Sequence, residues 1–301
     1  MAVINRYGLN GEEDFLGFSF NGRHSSEFKF IRVSKSDRYE DEVVPATKDT
    51  TIDIPGRDGA LFINSKKQKK VWNISFAYDD MRKKHIDAIR NWLNCKTEAP
   101  LIFDEDAEKR YWVKVTGAVK LSYLAFDEEV KQADGKVIEE TVYKGDGTIQ
   151  FTAFNTEGES VEEHEWGSNS GTDGIAVVEI TNEGDLPIPI QMEVELPETD
   201  YVQLSLYKLN EGTQSQTYLN HMILDVKKVS KKCLIDTDLH LIFGYNKIGE
   251  NDSNPTYEID KTQICNKAIV AGDFFSIPVG TYGIRITNGT IARVTGRYLY
   301  H

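Results

Sequence analysis

Few residues have the types and spacing that chemistry requires, and none of them forms a complete site. Asp236, Asp238 and His240 alternate as they would on one strand face, but no further ligand for a metal ion is visible. The segment 167–171 resembles a nucleophile elbow, except that Asn169 stands where the serine is needed. Acidic residues are abundant enough to permit a paired-carboxylate glycoside hydrolase, yet no particular pair is indicated. The sequence therefore predicts no catalytic, cofactor-binding or metal site, no cofactor, and a protein that is not an enzyme.

The overall charge and the cysteines narrow the class of protein. A net charge of −13 argues against binding of nucleic acid through its phosphates, which needs clustered Lys and Arg. Cys95, Cys233 and Cys265 are odd in number and form no CxxC unit, so we expect reduced thiols in a protein folded in a cytoplasm. No stretch approaches about 18 consecutive apolar residues, and no basic segment followed by an apolar run opens the chain. We therefore expect neither a membrane segment nor a secretory signal.

Polar and apolar residues alternate with period two along much of the chain. Four runs show this pattern clearly, at 71–78, 149–153, 191–196 and 202–206. Such alternation places apolar groups on one face of a strand, as an antiparallel sheet with one dry face requires. Turn-rich segments interrupt these runs at short intervals, which favours a mainly β fold of the sandwich type.

One segment, 80–94, has helical spacing instead. Its apolar residues recur at the interval of an amphipathic helix, at Met81, Ile86, Ile89, Trp92 and Leu93. We expect Asp79 or Asp80 to cap the start of this helix, and Asn94 to end it in a left-handed conformation. A β-hairpin over 99–115 with an acidic turn at 104–106 is expected to follow.

An acidic segment divides the chain into two predicted domains. Residues 156–173 carry many Glu with Gly, Ser and Thr but no Lys or Arg, which is typical of a linker or a long loop. We therefore expect a first domain at 1–155 and a second domain at 174–301. Two further segments, 34–51 and 127–147, look loop-like and are candidates for long hairpin arms that reach a neighbouring subunit.

The first domain carries short motifs that resemble, in the same order, those of siphophage distal tail (Dit) proteins. They are the aromatic strand, Asn-Gly turn and His-Ser-Ser run at 18–28, the PGRDG loop at 55–59, the strand 72–78 with the helix that ends at 92–94, the run Pro-Leu-Ile-Phe-Asp at 100–104, and the strand 147–151. Asn21-Gly22 supplies the positive φ angles of a tight hairpin turn. Glycines on both sides of Arg57-Asp58 let the PGRDG backbone turn sharply while this charged pair points outward.

The second domain is similar in part to the galectin-like domain found in many such proteins. The residues that carry this likeness lie at 180–196 and 274–287, whereas 208–260 departs from the pattern. The resemblance thus implies a tail-tube-like β-sandwich with one α-helix, followed by a galectin-like C-terminal β-sandwich. Such a fold does not bring sugar binding with it. Three tyrosines are candidates either for stacking on a sugar or for filling the core and edge of the sandwich: Tyr201, Tyr207 and Tyr218.

The resemblance implies a structural protein at the virion tail tip, assembled in the cytoplasm of the host bacterium. Its first domain would form a homo-hexameric ring that joins the tail tube protein to the tail-associated hub protein. Its second domain would support a receptor-binding protein, while DNA passes through the bore without specific binding. An adhesion module that binds carbohydrate on the host surface is the alternative function.

Four residues are our candidate inter-subunit contacts: Arg57, Asp58, Arg23 and His24. Alternatively, Arg57 and Asp58 stabilise only their own loop, and His24 is a hydrogen-bonded structural side chain.

Overall fold

The computed structural model describes ten segments, which are 17–28, 30–32, 46–56, 58–131, 136–167, 175–196, 201–209, 216–229, 231–248 and 256–301. The chain divides into two compact units, Met1–Gly158 with His301, and Glu159–Tyr300. Strands dominate the described residues, together with one α-helix and four short 3₁₀ turns. The predicted mainly β fold class with a single α-helix is therefore confirmed. No described helix has the length and apolarity that crossing a bilayer demands.

The first unit is built around one antiparallel sheet. Its elements are β1 (Phe18–Phe20), β2 (Arg23–His24), β3 (Phe30–Arg32), β4 (Thr47–Asp53), β5 (Ala60–Lys67), β6 (Lys70–Met81), α1 (Lys83–Leu93), β7 (Ala99–Phe103), β8 (Lys109–Lys131) and β9 (Val137–Ala153). The sheet follows the order β2-β1-β7-β8-β9-β6-β3, whereas β4 and β5 form a two-stranded sheet of their own. The predicted hairpin over 99–115 is confirmed, because β7 pairs with β8 through Leu101 and Tyr111.

Period-two patterning decides which face of this sheet is dry. Along β6, Trp72, Ile74 and Phe76 are buried while Asn73 and Ser75 are exposed, as predicted. Further core residues come from β1, α1, β7 and β9, and they include Phe18, Trp92, Leu101 and Phe151. Burial of these large apolar groups is the main force that holds the sheet and the helix together.

The helix α1 begins later than its sequence pattern predicts. Strand β6 continues through Asp79 and Asp80 to Met81, so neither aspartate lies at the N-cap position, which Arg82 takes instead. Asn94 at the C-cap has φ −81°, which is not left-handed, so this prediction is wrong too. Met81 pairs with β9 and is fully buried, and this tertiary pairing keeps the segment extended despite its helical spacing.

The second unit packs two antiparallel sheets face to face. Its strands, with β10 beginning at the unit boundary, are β10 (Gly158–Ser160), β11 (His164–Gly167), β12 (Ile175–Asn182), β13 (Ile190–Glu195), β14 (Tyr201–Leu209), β15 (Gln216–Asp225), β16 (Lys232–Asp236), β17 (Leu241–Ile248), β18 (Thr256–Ile264), β19 (Ile269–Gly272), β20 (Gly280–Thr287), β21 (Thr290–Gly296) and β22 (Leu299–Tyr300). One sheet has the order β11-β21-β13-β16-β17-β18 and the other β12-β20-β14-β15-β19. Both sheets contribute to one hydrophobic core, so this unit is a β-sandwich.

The predicted patterning also holds in the second unit. Met192 and Val194 of β13 face the core, as do Val202, Leu204 and Leu206 of β14. Part of the acidic segment 156–173 is strand, because β11 lies within it and pairs with β21 of the same unit. Residues 168–174 and the polar insertion at 249–254 lie outside the described residues.

Candidate functional site

The Asn-Gly turn of the first unit forms as predicted. Asn21 and Gly22 have φ angles of 49° and 73°, and Phe20 pairs with Arg23 across the turn. Both φ angles are positive, as the tight turn between β1 and β2 requires. The turn brings Arg23 and His24 onto a strand beside the 3₁₀ turn Ser25–Phe28.

His24 belongs to a hydrogen-bonded cluster with Asp104. The backbone N–H of Ser26 donates to His24 Nδ1 at 3.2 Å, and His24 Nε2 lies 3.0 Å from Asp104 Oδ1. Asp104 Oδ2 also accepts from the backbone N–H of Gly17 at 2.7 Å. This cluster supports a structural role for His24 within its own chain. Asp104 was not predicted as the partner of His24, since 80 residues separate the two and no local pattern joins them.

Arg23 is engaged within its own chain as well. Its Nε donates to Glu27 Oε2 at 2.9 Å, and its guanidinium lies 4.2 Å from the centroid of the Phe28 ring. The hydrogen bond from Arg23, helped by the backbone N–H of His24, lowers the pKa of the Glu27 carboxyl. Arg23 and Glu27 remain about half exposed, with side-chain exposures of 50% and 46%, so a neighbouring chain has access to them.

The PGRDG loop lies at the end of the β4–β5 hairpin. Gly56 and Gly59 have φ angles of 81° and 85°, and Asp58 is exposed. Arg57 lies outside the described residues, so its predicted contact stays a prediction. Along the hairpin, large apolar side chains are exposed to solvent, namely Ile52, Leu61, Phe62 and Ile63. This hairpin therefore presents both charge and apolar surface.

The segment 127–147 is largely strand. It belongs to the long antiparallel pair β8–β9, whose register runs from Val113↔Ala153 out to Lys131↔Val137 and shifts between Thr116 and Lys120. We call residues 121–131 and 137–147 the arm. Exposed apolar side chains lie along it at Tyr123, Leu124, Phe126 and Val137. Of the other candidate arm, 34–51, residues 34–45 lie outside the described residues, and the remainder leads into the β4–β5 hairpin.

A groove of about 610 Å³ lies between α1 and β8. Its lining is apolar in the middle, at Ile86, Ile89, Leu93, Val115, Val119 and Leu121, and its edge carries Arg90, Lys96 and Lys114. The groove is open to solvent and has no convergent set of acids, so it lacks the composition of a catalytic site.

Asp236, Asp238 and His240, whose spacing resembles that of metal ligands, do not lie together on one strand face as predicted. Asp236 ends β16 and is buried, while Asp238 and His240 lie in the turn that follows rather than on a strand face. Asp236 Oδ1 accepts from the backbone N–H groups of Asp238 and Leu239, which explains its burial. Within the described part of the chain, no three His, Cys, Asp or Glu residues are grouped as metal ligands would be.

Comparison with known proteins places this geometry in context. The family model of the phage tail protein RIFT-related domain matches residues 24–153. No curated protein sequence matches the chain significantly. In fold, the chain is similar to the SPP1 Dit protein (gp 19.1), which is described as a paradigm of the hub adsorption apparatus in phages that infect Gram-positive bacteria. The two are 10% identical with a TM-score of 0.57, and the alignment covers 95% of this chain and 99% of that chain.

Two further structures show a weaker similarity, which does not establish a shared fold. Chains of the phage P2 baseplate in its activated conformation, with calcium and with strontium, are each 8% identical to this chain, with TM-scores of 0.38 and 0.39. The alignments cover 95% and 94% of this chain, and 98% and 97% of those chains. The family match, the shared fold and the ordered motifs agree with one another. Residues 24–153 of the first unit are thus similar to the phage tail protein RIFT-related domain, and the resemblance of the chain to siphophage distal tail proteins is confirmed.

Proposed function

We propose that this chain is a distal tail protein of a phage or phage-like particle, and that its first unit closes a hexameric ring. The ring joins the tail tube protein to the tail-associated hub protein at the virion tail tip, after assembly in the cytoplasm of the host bacterium. The family match and the fold support a structural role in a phage tail or baseplate. The observation that carries the finer proposal is the exposed β4–β5 hairpin on a domain of a tail family.

The exposure of this hairpin favours assembly. Leu61, Phe62 and Ile63 are consecutive and have exposures of 50%, 59% and 48%. Contiguous apolar surface of this kind marks an interaction site on most soluble proteins. A ring needs two different surfaces that meet across each contact, and the hairpin with its PGRDG loop is one of them in our proposal.

The two predicted domains have separate tasks in this proposal. Residues 1–155 form the ring, 156–173 link the domains, and the galectin-like domain at 174–301 supports a receptor-binding protein. We assign no catalytic role and no cofactor to either domain. With a net charge of −13, the chain offers phosphates little to bind, so DNA passes through the bore without specific contacts.

Negative-stain electron microscopy of the purified full chain tests the ring directly. We expect particles with six-fold symmetry and an open centre, and their loss in the variant Leu61→Ser/Phe62→Ser, which removes exposed apolar groups without touching the core. The matched control is Tyr201→Ser/Leu219→Ser, at exposed positions of the second unit. A wild-type chain that shows only solitary particles at every concentration would exclude the ring.

One observation favours the alternative, a carbohydrate-binding adhesion module. On the sheet β12-β20-β14-β15-β19 of the second unit, Tyr207 and Tyr218 lie 5.6 Å apart edge to face, Arg285 lies 5.1 Å from the Tyr207 ring, and the Tyr218 hydroxyl contacts His221. Aromatic and hydrogen-bonding groups side by side are what a saccharide requires. A glycan array with the full chain tests it, and binding that Tyr218→Ala abolishes while Phe154→Ala, at an exposed aromatic position, preserves would favour this alternative.

A further inference from the structure

Two hairpins of the first unit place like charges directly opposite each other. In the β4–β5 hairpin, Lys48 pairs in register with Lys66. In the arm, Glu129 pairs in register with Glu139. Side chains in such positions are about 5 Å apart, and like charges there destabilise the strand pair. Each hairpin therefore carries a repulsion that a partner of opposite charge would relieve.

The lysine pair lies on a face of the β4–β5 hairpin that holds no acid near it. Thr50 and Asn64 follow Lys48 and Lys66 on this face, while Asp49 alternates to the other face. Both lysines are exposed, and neither has an ion-pair partner among the described residues. Beyond the register shift after Thr50, the same hairpin exposes its apolar residues.

The glutamate pair lies on one face of the arm, and the other face pairs Glu128 in register with Glu140. Asp127 shares this face with Glu129 and Glu139, and its Oδ1 accepts a hydrogen bond of 2.9 Å from Thr141 Oγ1. Glu129 and Glu139 are exposed and have no ion-pair partner in the described segments. The opposite face differs, because Glu140 there lies 2.9 Å from Arg82. Tyr123, on the Glu129–Glu139 face, adds an apolar ring that is 55% exposed.

We propose that the Glu129–Glu139 face of the arm of one copy docks on the Lys48–Lys66 face of the β4–β5 hairpin of a second copy. This inference rests on the proposed assembly of the chain and names the surfaces that meet. Two opposed lysines match two opposed glutamates in spacing, and both hairpins also carry exposed apolar groups farther along their strands. Since β4 and β5 form a sheet separate from that of β8 and β9, the two faces do not share a sheet within one chain. Two different surfaces of one chain in contact give a head-to-tail interface, which closes into a ring.

Charge reversal with complementation between copies tests the contact. The lysine variant is Lys48→Glu/Lys66→Glu, and the glutamate variant is Glu129→Lys/Glu139→Lys. Each variant keeps a like-charge pair in its hairpin, so folding stability stays near that of the wild type. We expect each variant alone to need at least about tenfold higher concentration for assembly, measured by sedimentation velocity or mass photometry.

An equimolar mixture of the two variants decides whether the contact lies between copies. In the mixture, the arm of the glutamate variant carries lysines and meets the β4–β5 hairpin of the lysine variant, which carries glutamates. The unchanged glutamate arm of the lysine variant meets the unchanged lysine hairpin of the glutamate variant. An even-numbered ring of alternating copies satisfies every interface, so the mixture should assemble at nearly the wild-type concentration. Added salt should weaken assembly of both the wild type and the mixture. The charge-matched controls in the second unit are Lys261→Glu/Lys267→Glu and Glu162→Lys/Glu163→Lys, which should assemble normally.

The outcomes separate this contact from the proposed ring. If the wild type forms rings and either variant alone assembles equally well, the contact is wrong and the ring stands. If the wild type forms oligomers that depend on these charges but are not rings, the proposed contact is supported and the proposed ring is wrong. A mixture that fails to assemble, while the chain with all four reversals assembles, would place the charge pairing within one chain and overturn the proposal. A wild type that is monomeric at all concentrations would overturn both.

Discussion

The indole Nε1 of Trp92 donates a hydrogen bond of 2.7 Å to the backbone carbonyl of Phe20, 72 residues earlier in the chain. Trp92 also stacks on Phe28, with ring centroids 4.4 Å apart, and lies 5.8 Å from the Phe18 ring. Trp92 thus fixes the end of α1 against the first hairpin of the sheet. Since that hairpin carries Arg23 and His24, this contact also sets the position of two candidate contact residues.

Replacing Trp92 by phenylalanine tests the importance of this contact. The variant loses the indole donor and part of the buried ring, so we expect the free energy of unfolding to fall by about 2–4 kcal/mol. Urea denaturation followed by circular dichroism measures the change. The same substitution at Trp112, which is 40% exposed, should cost much less. Equal losses in the two variants would contradict the role of Trp92.

Gly17 has no room for a side chain. A Cβ there would lie 2.7 Å from Asp104 Oδ2 and 2.8 Å from the His24 ring. Gly17→Ala should therefore displace the ends of the His24 and Asp104 side chains and reduce stability by about 0.5–1.5 kcal/mol through the weakened hydrogen bonds, as measured by thermal unfolding. Gly167→Ala is the matched control, because nothing lies within 4 Å of its Cβ position. A thermal midpoint equal to that of this control would refute the close packing at Gly17.

The Arg23–Glu27 pair predicts a pH effect with a definite sign. The folded-state pKa of Glu27 lies below its ordinary value of 4.5, with the hydrogen bond from Arg23 as the largest cause. A depressed pKa stabilises the fold above the unfolded-state pKa, and this contribution is lost as the pH falls through the folded-state pKa. Arg23→Ala should raise the pKa of Glu27 in an NMR titration, while Lys228→Ala in the second unit should not. An unchanged titration of Glu27 in the Arg23 variant would contradict this assignment.

The three cysteines should differ in reactivity. Burial raises the pKa of Cys233 to about 12, and it also raises the pKa of Cys265. At pH 8 the thiolate fraction of Cys233 is then on the order of 10⁻⁴, whereas Cys95 is only half-buried. We expect a thiol reagent to modify Cys95 rapidly in the folded chain, and all three cysteines in urea. The variant Cys95→Ser should lose the rapid phase, and a rapid phase that persists would show that a buried thiol is accessible.

Local patterns determined much of this fold. The runs at 71–78 and 191–196 became strands because alternating burial is a property of each strand by itself. Asn21-Gly22 became a tight turn because these two residues tolerate positive φ. The ordered short motifs in the first half were enough to reveal the resemblance to tail proteins, because each motif reflects a local requirement of the backbone.

Where the sequence misled, a contact distant along the chain outweighed the local pattern. Met81 fits a helical stripe, yet pairing with β9 keeps it in a strand, and α1 starts only at Lys83. Asp236 and His240 look like residues of one strand face, but backbone hydrogen bonds to the Asp236 carboxylate fold them into a turn. The spacing of residues within one segment does not show whether a tertiary contact will override the local preference.

The sequence by itself therefore determined the fold class, the single helix, the tight turns and the resemblance to tail proteins, because these depend on residues close together in the chain. Only the tertiary structure decided that His24 meets Asp104, that Trp92 reaches Phe20, and that Lys48 and Glu129 each lie opposite a like charge. Strand register and sheet order set these pairings, and both follow from packing the whole domain.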